Sequence, residues 1–188
     1  MPVDATALDP PDERVITIVV ATNRPGSRSQ IVADAYRDAF DALGVPSRVL
    51  NLAVFSPAMI DAVMYARTDD KAGFETLQAI VDETEKFVFV IPEYNGSFPG
   101  ILKLFVDCCR YPDSFQDKKT AVVGLSSGTQ GSALAMGHFA DVLNYLGAHT
   151  LALRPRFIRI HNAVRDGRLV DPEYLQFVGM QARKLAEF

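Results

Sequence analysis

With 188 residues, 48% of them hydrophobic and 22% charged, the chain has the size and balance of one soluble globular domain with a full core. A formal net charge of −4, from 19 basic and 23 acidic residues, argues against a general binder of nucleic acid or other polyanions. No apolar run approaches the ~20 residues that a bilayer span requires.

Residues 1–13 hold three prolines and four acidic residues, with neither the basic start nor the apolar centre of a secretion signal. They predict a short flexible tail on a cytoplasmic protein, with a single domain over 14–188. The β-branched run Arg14–Ala21 predicts a first strand, and Thr22–Ser29 a polar loop. A helix follows over Gln30–Leu43, with Val32, Tyr36, Ala39, Phe40 and Leu43 at helical spacing and Gly44 as its stop. Ser47–Leu52 is a short second strand, Ser56–Arg67 a short helix or ordered loop, and Asp70–Glu85 a helix burying Phe74, Leu77, Ile80 and Val81.

Phe87–Ile91 is a run of five consecutive large apolar residues, the pattern of a central parallel strand covered on both faces. A helix over Gly100–Arg110, a fourth strand over Lys119–Leu125, a loop over Ser126–Gly131 and a helix over Ser132–Leu146 come next. Ala148–Leu153 is the fifth strand, continuing irregularly through Phe157–Ile160. Asp166–Arg168 is a turn, and Asp171 caps a last helix with Pro172 at its first position. Strands alternating with helices give an α/β three-layer sandwich, a five-stranded parallel sheet in the flavodoxin-like order 2-1-3-4-5.

In that topology the loops after strands one, three and four share one sheet edge. Thr22–Ser29 brings three hydroxyls, two arginines and a helix start, a combination suited to an anion; the plain alternative is a capped turn with solvated arginines. Neither a G-x-G-x-x-G fingerprint nor a P-loop occurs there, so a single terminal phosphate, as in a mononucleotide, fits best. Pro92–Ser97 adds an aromatic ring and backbone amides for a planar heterocycle, or forms a tight turn. The adjacent Cys108 and Cys109 read as a reduced structural pair, and His138, His149 and His161 are too scattered for a metal site.

Together these loops resemble the NADPH-dependent FMN reductase family, which includes quinone and chromate reductases. The family's phosphate loop, roughly G-[ST]-x-R-x-x-S, is matched by Ala21–Ser27. Its P-E-Y-N-x-S-x-P-G-x-L-K hallmark is matched by Pro92–Lys103, and its S-x-G turn by Ser126–Gly128. Ala21 stands where the family has glycine, Ser29 where asparagine is common, and Cys108 where an aromatic is frequent. The resemblance implies FMN as cofactor, its phosphate held by Thr22, Arg24, Ser27, Arg28 and Ser29. Pro92, Glu93, Tyr94, Asn95 and Gly96 would border the isoalloxazine ring, with Ser126, Ser127 and Gly128 on the other flank. NADPH or NADH would be the cosubstrate, and a quinone, free flavin, azo compound or metal oxyanion the acceptor.

Two other readings remain. A non-catalytic FMN-binding electron carrier would need the same loops. Gly124–Gly128 satisfies G-x-S-x-G, so a serine esterase would use Ser126 with Asp141 and His149 or His161. The helices over 100–110 and 132–146 are apolar nearly all round, which predicts a homodimer or homotetramer through them, or else a thick core.

Overall fold

The computed structural model describes residues 15–65 and 72–188. The expected tail, and the portions of the first strand and third helix assigned to Arg14 and Asp70, lie outside them. So does the end of the Ser56–Arg67 segment.

The sheet is built from β1 (Ile16–Val20), β2 (Ser47–Asn51), β3 (Lys86–Pro92), β4 (Lys119–Leu125) and β5 (His149–Thr150), in the order β2-β1-β3-β4-β5 and all parallel. β3 is central. Phe87, Phe89 and Ile91 point into one core, and Val88 and Val90 into the other, all at 0% exposure. Burying each such side chain is worth ~1.5–3 kcal/mol, so this five-residue run anchors both layers. The first layer holds α3 (Ala72–Glu83), α4 (Gly100–Cys108) and α5 (Ala133–Tyr145); the second holds α1 (Arg28–Ala42) and α6 (Pro172–Glu187).

The expected fifth strand, Ala148–Leu153, shortens to His149–Thr150. A separate strand β6 (Arg156–Phe157) then pairs with the end of β4. Pro155 has no N–H to continue a ladder. The gap is closed from another element: Gln181 Nε2 of α6 donates to the carbonyls of Val122, at 3.0 Å, and Leu153, at 2.6 Å, while its Oε1 accepts from Tyr36 Oη. A side-chain amide thus replaces a missing stretch of strand. The antiparallel hairpin β7 (Val164–Arg165) and β8 (Arg168–Leu169) encloses the expected turn, with Asp166 and Gly167 both at positive φ.

α1 begins two residues before the expected Gln30, because Ser27 caps it by accepting from the Ser29 amide at 3.1 Å. The segment after β2 resolves into a helix, α2 (Pro57–Met64), capped by Ser56. α2 lies against α4 and so covers part of the apolar surface expected to face another subunit. α5 is different, with Leu134 61% and Tyr145 78% exposed.

Candidate functional site

The carboxyl ends of β1, β3 and β4 carry three loops that meet in one cleft. The first joins β1 to α1. Ala21 continues the sheet by donating to the Val90 carbonyl at 3.1 Å, and Thr22 then turns inward at 1% exposure. Thr22 Oγ1 accepts from the Arg24 amide at 3.2 Å and shares a 2.8 Å bond with Tyr94 Oη, 72 residues away. Gly26, at φ 65°, reverses the chain before the Ser27 cap. Ser29 sits in the first turn of α1, fully buried, and its Oγ has no hydrogen-bond partner. A buried hydroxyl left unpaired costs ~1–3 kcal/mol; Ser47 and Ser132 bury one too, but of the three only Ser29 lines the cleft.

The second loop follows β3. The Glu93 amide donates to the Leu125 carbonyl, and Tyr94 and Ser97 exchange backbone bonds of 2.8 and 3.0 Å. Between them Asn95 and Gly96 have φ of 52° and 76°, the two successive positive values of a type I′ turn. The tight turn and the candidate ring loop are therefore one structure. Its far end is tied to α5 by a 3.0 Å bond between Ser97 Oγ and His138 Nδ1.

The third loop follows β4. Ser126 Oγ donates to the Gly128 carbonyl at 3.1 Å and accepts from the Gly131 amide at 2.9 Å. A Cβ on Gly131 would stand 2.8 Å from Arg156 Cβ, and one on Gly124 would stand 2.4 Å from the Gly131 carbonyl. Both glycines are required by close packing. β6 and the turn after it complete the wall: Ser126 donates to the Phe157 carbonyl at 3.0 Å, Ile160 to that of Ser126 at 3.1 Å, and Arg159 to that of Gly128 at 2.8 Å. Arg159 holds φ 42°, a left-handed conformation that costs a non-glycine residue ~1–2 kcal/mol.

The cleft between these loops measures about 230 Å³ and is lined by Arg24, Ser27, Arg28, Ser29, Pro92, Glu93, Tyr94, Ser126 and Ser127. Those nine expected residues are brought together. Thr22 stands behind Tyr94 as a brace, while Asn95, Gly96 and Gly128 shape turns without lining the cleft. Pro25, Gly26, Leu125 and Ile160 also line it and were not expected. Ile160 had one legible signal, the apolar tail of Phe157–Ile160.

The fittings suit a phosphorylated planar ligand. Two guanidiniums, a helix start and an unpaired buried hydroxyl lie on one side; a rigid hairpin and a serine-glycine turn lie on the others. They do not suit a serine hydrolase. Ser126 Oγ is spent within its own loop and, among the described residues, bonds no histidine. His149 pairs with Lys119 at the start of β4, ~20 Å along the strand from Ser126, with Asp117 its neighbour at 3.7 Å. The cysteines offer no nucleophile either. Burial, with the Asp107 charge, pushes Cys108 up to about 11, and burial raises Cys109 further. No group of three residues suited to a metal ion occurs among the described residues.

The flavoenzyme NAD(P)H:(acceptor) oxidoreductase FerB of Paracoccus denitrificans shares the fold, with TM-score 0.74 and 19% identity over 93% of this chain and 96% of that one. A probable NADPH:quinone oxidoreductase of Oryza sativa subsp. japonica is 36% identical over 104 residues, 53% of this chain and 51% of the rice protein. A quinone reductase of Escherichia coli (strain K12) is 31% identical over 143 residues, 70% of this chain and 76% of its own. The chain thus spans about half of the rice relative and three quarters of the bacterial one. The profile of the NADPH-dependent FMN reductases matches residues 14–154, which takes in all three loops, and the chain belongs to that family.

Proposed function

We propose that the protein is an NAD(P)H-dependent flavin oxidoreductase that passes electrons through bound FMN to a quinone. The observation that carries this is the buried, unpartnered Ser29 hydroxyl at the start of α1, in a cleft also lined by Arg24 and Arg28. Ser27, Ser29 and the two arginines would hold the phosphate, with Thr22 fixing the loop through Arg24 and Tyr94. Pro92, Glu93, Tyr94 and the Asn95–Gly96 turn would flank the ring on one side, and Ser126, Ser127 and Gly128 on the other. FMN, when bound, supplies the hydride and electron chemistry, so the chain's own task is to bind, orient and leave one face open. The relatives named for quinones favour that acceptor class over azo compounds and metal oxyanions.

Two further expectations belong to the proposal. The first is a homodimer or homotetramer through helices 100–110 and 132–146, supported by exposed Leu134 and Tyr145 on α5. The second is a cytoplasmic location; no helix among the described residues is long and apolar enough to cross a membrane.

The test is optical. Purified protein given FMN should retain it through gel filtration, lose its visible absorbance within seconds of anaerobic NADPH, and regain it on adding p-benzoquinone. Retained flavin with no bleaching over minutes would make the protein a carrier instead. Failure to retain FMN would overturn both.

A further inference from the structure

The stretch 154–168 holds five arginines and one acid, Asp166, in a chain whose net charge is −4. Its first part packs against the loop after β4, with Ile160 lining the cleft and Arg156 and Arg159 flanking that loop. Arg156 and Arg159 are exposed, and neither guanidinium has an ion-pair or hydrogen-bond partner among the described residues. Both are rigidly mounted. Arg156 Cβ rests against Gly131, and Arg159 is bonded at 2.8 Å from its amide to Gly128 O and at 2.8 Å from its carbonyl to the Asn162 amide. Arg159 also keeps a left-handed φ of 42° where glycine would be relaxed, so strain and unpaired charge coincide beside the cleft-lining Ile160. The β1–α1 loop already offers Arg24 and Arg28 across the cleft. One pair of guanidiniums lines the cleft and a second pair flanks the loop after β4, and two separate pairs suit two separate anions.

We infer that Arg156 and Arg159 bind the phosphate groups of the nicotinamide dinucleotide cosubstrate, an assignment that rests on the flavin oxidoreductase reading above. A polyanionic cosubstrate approaching an acidic protein needs a local positive field at its docking point, and rigid guanidiniums match phosphate oxygens in pairs. An uncharged quinone gains nothing from them.

The experiment uses the FMN-loaded protein and the variants Arg159→Gly, which also relieves the left-handed backbone, Arg156→Ala, and Arg159→Lys. NADP⁺ affinity is measured by isothermal titration calorimetry, and the KM values of NADPH and p-benzoquinone by steady-state kinetics. Loss of one charge-assisted contact should raise the NADP⁺ Kd and the NADPH KM ~10-fold or more. Arg159→Lys should recover part of this, and FMN affinity and the quinone KM should stay as in the native protein. Unchanged NADP⁺ affinity in Arg159→Gly and Arg156→Ala overturns the inference and leaves the flavin reading standing. So does an effect confined to the quinone, or one accompanied by loss of FMN. A native protein that takes up neither FMN nor NADP⁺ overturns both.

Discussion

The two ends of the sheet differ in a way that hollow size conceals. At the amino ends of the strands a hollow of about 440 Å³ is lined by Val15, Ile16, Gly44, Val45, Pro46, Glu85, Lys86 and Ala186, and it exceeds the 230 Å³ cleft at the carboxyl ends. Two of its polar groups bond within the chain. Ile16 donates to the Pro46 carbonyl at 3.0 Å, and Lys86 Nζ to that of Ala186 at 2.7 Å. At the other end Ser29 Oγ has no partner and the flanking arginines carry no ion pairs among the described residues. Ser47 and Ser132 also bury an unpaired hydroxyl, but neither lines either hollow; the contrast rests on Ser29 together with two unpaired guanidiniums in one cleft.

Three substitutions test that contrast, in descending effect. Arg24→Ala combined with Arg28→Ala removes two charged donors from the cleft, and FMN affinity should fall ~50-fold or more, read from quenching of flavin fluorescence. An affinity within threefold of native would place the phosphate elsewhere. Tyr94→Phe deletes only the 2.8 Å bond to Thr22 Oγ1, which braces the two loops before any ligand arrives. A cost of ~1 kcal/mol, near fivefold in FMN Kd, is expected, with the melting temperature little changed. Lys86→Met changes the opposite end. Partial burial and the Lys119 charge lower the Lys86 pKa, which means folding disfavours its charged form. At pH 7 the methionine removes that cost and also the bond to Ala186. Melting should therefore shift by no more than ~4 °C, and FMN affinity should not move at all. A flavin effect from Lys86→Met would dissolve the distinction between the two ends.

Much of this was legible in the sequence, for identifiable reasons. Phe87–Ile91 is apolar without alternation, and only a strand covered on both faces tolerates that. The alternation of strands and helices implies a doubly wound parallel sheet and the chain's size suits the order 2-1-3-4-5, which brings Thr22–Ser29, Pro92–Ser97 and Ser126–Gly128 to one edge. What escaped was set by contacts between distant residues. Nothing local near Leu153 announces that Gln181 will complete the ladder, so the sequence pattern predicts a longer fifth strand than forms. The bond between Thr22 and Tyr94, which ties two of the loops together, is encoded by no periodicity. Arg156 and Arg159 leave no signal in the sequence because their position depends on β6, a two-residue strand too short to form a pattern. The apolar face of α4 suggested a subunit contact partly because α2, which covers it, was ambiguous in the sequence.

Gln181 has a consequence for the order in which the molecule can close. Its amide is fully buried and serves the first helix, the fourth strand and the broken sheet edge at once, through Tyr36, Val122 and Leu153. Until α6 docks, a phenol and two carbonyls in the interior lack their partner, each at ~1–3 kcal/mol if sealed away from water. The second layer therefore cannot become dry before α6 docks. A growing polypeptide that has already assembled β1 to β4 must keep that seam open to solvent until residue 181 has left the ribosome. The last helix is a keystone rather than an appendix.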